Sequence, residues 1–230
     1  MSQRTRKRNR NLDESSQSQS GESSQSSRGN NRASLTAPSE DEDHTRSVIA
    51  TVKFILNHMA TKFPIKRADL VKECCDGNGK IFSAILETVT SQLKFVYGIV
   101  FHEVAASKSN KQYICYSEYP CLLAKNKKND FRDQSLLLLI LSYIFIKGTA
   151  ISEGALLNYL QRLDIKLDEE HEHFGDVKKS IETFRKQLYL KRDKKVSETS
   201  NEEKILFEWG ERAFMEFDQK TMLTEIAKVS

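Results

Sequence analysis

The sequence predicts an α+β protein, mainly α with small β-hairpins: two similar halves packed together behind a polar leader. Three observations predict it. Apolar residues recur at three-to-four spacing in separate stretches from Val48 onward, the signature of amphipathic helices. Twice, that period falls to two, as it does in half-buried strands. Residues 1–45 carry almost no apolar side chains.

The leader comes first. Ser, Gln, Asn and Arg dominate it, as in SSQSQSGESSQSSRGNN. Such a segment buries too little apolar surface to offset its chain entropy, so residues 1–45 are expected to be a disordered polar tail. Its basic cluster, Arg4, Arg6, Lys7, Arg8 and Arg10, reads as a nuclear localisation address or a nucleic-acid tail. No signal-peptide pattern precedes the fold, so secretion is not expected. The acidic run Ser39–Asp43 reads as a solvated linker. The whole chain carries a net charge of +4, only a modest preference for anionic partners.

The first module is expected over 46–119. Val48, Ile49, Val52, Ile55, Leu56 and Met59 give one amphipathic helix. Pro64 ends the connection, and Ile65–Cys75 reads as a short second helix. Asp76-Gly-Asn-Gly79 is a turn. Ile81–Phe95 supplies a third helix, and 97–104 with 112–117 alternate as a hairpin around a polar turn. The adjacent Cys74 and Cys75 sit in a helical pattern, where free thiols usually pack in cores.

A polar linker, 120–132, leads to the second module over 133–230. SLLLLILSYIFIKG is apolar on every side between Leu136 and Ile146. It falls short of the roughly 20 residues that span a bilayer, so it reads as a central helix contacted from several directions, by the first module as well as its own. Ser152–Leu163 and Asp176–Gln187 give two more helices. Leu188–Leu190 and Ile205–Trp209 read as strands, with the charged loop KRDKKVSETSNEEK between them. Three helices and a hairpin, repeated, is the plan of two tandem winged-helix modules. In FEWGERAFMEF (207–217), Phe207 and Trp209 share one side of a strand. Phe214, Phe217 and Met222 are then available to seal the module, a core reading that leaves room for a peptide groove beside them.

From about 48 to 229 the chain resembles the MAGE homology domain family. The likeness rests on FPIKRADLVK (63–72), LKFVYGIVFHEV (93–104), LLLLILSYIFIKG (136–148), HFGDVKKSI (173–181) and FEWGERA (207–213), in that order and spacing. Val177 and Glu211 stand where the family often has proline, and Asn57 where another apolar residue is common. The short polar tail is more similar to the member found in the SMC five-six chromosome complex than to the tumour-antigen members. The resemblance implies two winged-helix modules packed together. It implies that the first module binds and stimulates a RING-type ubiquitin ligase subunit through Ile55 and Leu56, residues that a plain core would also use. It implies that the second module docks a kleisin subunit, near the central helix and Leu223. A nuclear, chromatin-associated role in DNA repair follows from it.

Catalysis is not expected. GNGK (77–80) lacks the spacing and the Ser/Thr of a phosphate loop. EEHEH (169–173) has no further ligand pair at metal spacing and reads as a charged loop. No cofactor and no membrane partner are implied. Non-specific DNA binding is a second expectation, carried by Lys178, Lys179, Arg185 and Lys186 on the last helix and by Lys191, Arg192, Lys194 and Lys195 in its wing. A stand-alone winged-helix transcriptional regulator is the alternative reading of the same residues.

Overall fold

The computed structural model describes residues 40–104, 111–118, 128–148, 150–196, 203–222 and 224. The chain is mainly helical, with two small antiparallel sheets. Helix α1 spans Glu40–His58, so helix replaces the expected tail from residue 40. Val48, Val52 and Ile55 fall on its buried stripe. The buried Thr51 hydroxyl is satisfied by donating to the Ser47 carbonyl at 2.7 Å, since a buried hydroxyl without a partner is expensive.

A two-residue strand, β1 (Ile65–Lys66), precedes α2 (Arg67–Cys74), where a single helix was expected. Pairing with Tyr113 and Gln112 explains it: the backbone of Ile65 and Lys66 closes the sheet edge. Helix α3 (Gly79–Tyr97) starts at Asn78, whose side-chain oxygen accepts from the Lys80 and Ile81 amides. It ends at Gly98 in the left-handed conformation, the usual terminator. Phe82, Ile85, Val89 and Leu93 form its buried stripe. Strands β2 (Ile99–Val104) and β3 (Gln112–Ser117) pair antiparallel, from Ile99–Ser117 to Val104–Gln112.

The plan repeats. Helix α4 (Lys128–Lys147) begins inside the stretch expected as linker. Strand β4 (Ala150–Ser152) leads to α5 (Glu153–Arg162), capped by the Ser152 hydroxyl. Helix α6 (Val177–Lys186) is capped by Asp176. Strands β5 (Leu190–Val196) and β6 (Glu203–Trp209) follow, then α7 (Glu211–Glu216). The sheet orders match: β1-β3-β2 in one half and β4-β6-β5 in the other. Each half has its own buried cluster, one drawn from residues between Val48 and Cys115, the other from residues between Leu136 and Met222.

Three further expectations are corrected. Much of the charged loop after Leu190 is strand: Lys191 lies across from Glu208 and Lys195 from Lys204. Its charges point out from an edge, so periodicity in apolar residues missed it. Helix α4 is not covered on every side. Leu136, Leu137, Ile140, Leu141 and Ile144 are buried, while Phe131, Leu138 and Ile146 are exposed. Phe214 does not seal the module: it is exposed, and Phe217 and Met222 join the core instead.

Val177 and Glu211, where the family often has proline, are the first residues of α6 and α7. Proline suits that position because its missing N–H is not needed there. Asp176 fastens α6 by accepting from the Lys179 amide at 2.9 Å.

Candidate partner-binding surfaces

The FEWGERA stretch forms the joint between the two halves. Trp209 is buried against α4, and its indole N–H donates to the Leu141 carbonyl at 2.9 Å. Gly210 follows. A Cβ there would lie 2.2 Å from the Leu188 carbonyl oxygen, so no larger residue fits. Arg212 is 1% exposed. Its Nε donates to Gln187 O (2.9 Å) and its Nη1 to Cys115 O (2.8 Å) and Glu216 Oε1 (2.9 Å). Its Nη2 donates to Lys62 O at 2.9 Å. Lys62 and Cys115 belong to the first half, Gln187 and Glu216 to the second, so one guanidinium ties both.

Neighbours reinforce the joint. The Tyr189 hydroxyl donates to Glu216 Oε2 at 2.6 Å, and the guanidinium lies 5.6 Å from the Tyr189 ring centre. Burial, then the Glu216 carboxylate, pushes the Tyr189 hydroxyl well above its ordinary range. Burial pushes the Cys115 thiol up to about 12, with Arg212 pulling the other way. His102 meets Glu211 at 3.0 Å, and Gln187 donates its side-chain amide to Thr61 O at 3.0 Å. Sequence periodicity gave no role to Arg212. The signal was a lone arginine in an aromatic-rich stretch, two residues after a glycine.

A trough opens on the second half, with a volume of about 460 Å³. Leu156, Leu157, Leu167, Ile181 and Phe207 form its floor; Lys178, Lys179 and Arg192 stand on its rim with Glu153, Asp176 and Glu182. This lies within the usual size range of ligand pockets. Periodicity assigned its floor residues to helices and strands without bringing them together, because they come from α5, the following loop, α6 and β6.

The expected contact on α1 divides. Ile55 has no exposed surface and belongs to the first core, so the expectation that it presents itself to a partner is corrected. The helix turns by 100° per residue, and that rotation leaves Leu56 half-buried at the surface. Of the expected phosphate contacts, four are already engaged. Arg185 bonds Glu182, Lys191 bonds Asp193 and Glu208, Arg192 reaches Glu153 at 3.3 Å, and Lys195 faces Glu208 at 4.0 Å. The Arg185 guanidinium holds Glu182 below the ordinary carboxylate range. Lys178, Lys179, Lys186 and Lys194 are exposed. Among the described residues, the first three have no carboxylate within ion-pair distance. Leu223 and the cluster Arg4, Arg6, Lys7, Arg8 and Arg10 lie outside the described residues. The His171 ring nitrogen accepts from the His173 and Phe174 amides, which organises the charged loop. Among the described residues no group of three or more His, Cys, Asp or Glu is placed to hold a metal.

The MAGE homology domain matches residues 51–220, most of the described fold. This chain belongs to the MAGE homology domain family. It is 30% identical over 217 residues to the human "Non-structural maintenance of chromosomes element 3 homolog", covering 93% of this chain and 70% of that protein. Human "Melanoma-associated antigen D2" is 33% identical over 183 residues; the match covers 77% of this chain but only 29% of that protein. Among solved structures, a chain of the "Nse1-Nse3-Nse4 complex" superposes with a TM-score of 0.72 at 30% identity. That match covers 84% of this MAGE chain and 92% of the other.

Proposed function

We propose that this chain is a non-catalytic adaptor subunit of an SMC five-six complex, acting in DNA repair in the nucleus. The reading takes 46–119 and 133–230 as tandem winged-helix modules joined by 120–132. The first module binds and stimulates a RING-type ubiquitin ligase subunit, with Leu56 at the contact and Ile55 supporting it from within. The second docks a kleisin subunit, with the trough as its seat and Leu223, outside the described residues, kept as a proposed contact. The trough carries the proposal: it is an apolar-floored hollow that can seat side chains of a partner segment. The chain that contains it is similar to one in a three-component complex. Helix-in-groove docking uses such a seat.

Co-expression with the RING and kleisin subunits tests the proposal. The three are expected to elute as one stoichiometric species, and the RING subunit to build ubiquitin chains faster within it. Leu56→Asp is expected to release the RING subunit from a chain that stays folded. Separate elution of all three wild-type subunits refutes the adaptor reading.

Weak, sequence-indifferent duplex contact is a second reading, favoured by the exposed Lys178, Lys179, Lys186 and Lys194 of the second module. Arg185, Lys191, Arg192 and Lys195 contribute less, each already facing a carboxylate. Lys186→Glu is expected to flatten the salt dependence of duplex binding by about 0.9 in the log–log slope. Tight, base-selective binding by the isolated chain would instead favour a stand-alone transcriptional regulator. The basic cluster from Arg4 to Arg10 serves as the nuclear address in this proposal.

A further inference from the structure

Helix α4 leaves an apolar strip open to solvent. Phe131, Leu138 and Ile146 are 58%, 44% and 62% exposed. At about 100° and 1.5 Å per residue they share one band of the helix surface, roughly 22 Å long. Ser135 and Ser142 stand between them in the same band. None of the five lines the trough.

The band carries no charge. Between 131 and 146 the charged residues are Arg132 and Asp133. Asp133 turns to α6, where it accepts from the Ser180 hydroxyl at 3.1 Å, and Arg132 lies about 100° round from Phe131. Lys147 stands over the Tyr143 ring, 5.8 Å from its centre, on the side of the helix opposite Leu138. A phosphate backbone or a charged peptide gains nothing from such a band. A neutral helix does. The steps from 131 to 135, 138 and 142 are the four-three-four seam of paired helices. Serines between the large side chains let two helix axes approach to about 8–10 Å.

The helix that fits this strip is α4 itself. Turned end over end about the point between Leu138 and Leu139, the strip maps onto itself. Phe131 then meets Ile146 of the other copy, Ser135 meets Ser142, and Leu138 meets Leu139. Large side chains lie across from large and small from small, as a two-fold, isologous contact requires. Antiparallel pairing also sets each α4 N-terminus beside a C-terminus, so the helix dipoles attract.

We infer that two copies of this chain pair through α4, antiparallel, about a two-fold axis at Leu138 and Leu139. Taking about 200 Å² for a side chain of this size, the three exposures leave roughly 300 Å² of apolar surface per copy and 600 Å² per pair. Stable interfaces bury about 1,200 Å² or more. The pairing is therefore weak and set by concentration, and two complexes held side by side supply that concentration. It does not depend on which subunits the two modules dock.

The test is sedimentation equilibrium of the full chain from about 10 µM to about 1 mM, since interfaces smaller than about 1,600 Å² associate more weakly than µM. The mass is expected to rise from one chain toward two. Low and high salt are expected to give the same curve, because no ion pair forms across the strip. Leu138→Asp is expected to weaken self-association about tenfold or more, with circular dichroism to check that it stays folded. Disulfide cross-linking with an added copper oxidant reads the register separately. Cys74, Cys75 and Cys115 are buried, so a Cys121→Ser background serves. There Leu138→Cys is expected to link to itself, and Phe131→Cys to link only when mixed with Ile146→Cys.

A chain that stays monomeric at about 1 mM overturns the inference and leaves the adaptor reading standing, whatever else covers the strip. A dimer that Leu138→Asp leaves intact overturns it too. So does Phe131→Cys linking to itself, the mark of a parallel or unrelated contact. If Leu138→Asp does not fold, the cross-links alone decide.

Discussion

Replacing Arg212 by methionine keeps the side-chain stem and removes the guanidinium. Three carbonyls, on Lys62, Cys115 and Gln187, then lose a donor, and Glu216 loses its cation. Breaking a buried, hydrogen-bonded charge cluster by removing one partner costs about 3–5 kcal/mol. Domains are stable by only about 5–15 kcal/mol. The loss is therefore about a fifth or more of the total, and at about 2–4 °C per kcal/mol it lowers Tm by roughly 6–20 °C. Urea titration reads it twice. Trp209, the only tryptophan, reports the second half by fluorescence, and circular dichroism reports both. The wild-type traces are expected to coincide and those of Arg212→Met to separate, because the joint no longer couples the halves. A shift below about 1 kcal/mol with coincident traces refutes this account of Arg212.

Three further outcomes follow from the same contacts. Gly210→Ala forces a methyl against the Leu188 backbone and is expected to cost about 3 kcal/mol in urea stability; a neutral result means β5 shifts freely. Ile55→Ala is expected to cost about 2–5 kcal/mol of stability, whereas Leu56→Ala costs less and weakens RING-subunit pull-down more; equal effects on both readouts reject their division into support and contact. Burial raises Cys74, Cys75, Cys115 and Tyr189, so the unfolded chain gives up these protons at lower pH than the folded one. Their contribution is complete below about pH 9 and is lost as pH rises toward 12. The urea midpoint measured from pH 7.5 upward is expected to fall above about 9, and a flat profile contradicts it.

The repeat was legible because its helices carry clean stripes. Phe82, Ile85, Val89 and Leu93 are spaced as a buried helical face must be, and all four are buried. Phe207 and Trp209, two apart, share the core side of β6 as the strand period requires. What apolar periodicity missed lacks that pattern. Strand β5 is read from LKRDKKV, whose side chains are charged because it lies at a sheet edge. Strand β1 is only two residues long, and its pairing partner lies some fifty positions downstream. The trough could not be read because its floor gathers Leu157, Leu167, Ile181 and Phe207 from four places in the chain. Arg212 was invisible for a different reason: three of its four acceptors are main-chain carbonyls, which carry no residue identity.

The crossing of Gly210 beneath Leu188 and the reach of Arg212 into the first sheet also bear on how the protein can be divided. Cut between the repeats, the front piece would bare the oxygens of Lys62 and Cys115, and the rear piece would keep a cation with half its acceptors gone. Neither fragment inherits a finished surface. The smallest unit worth expressing is the pair.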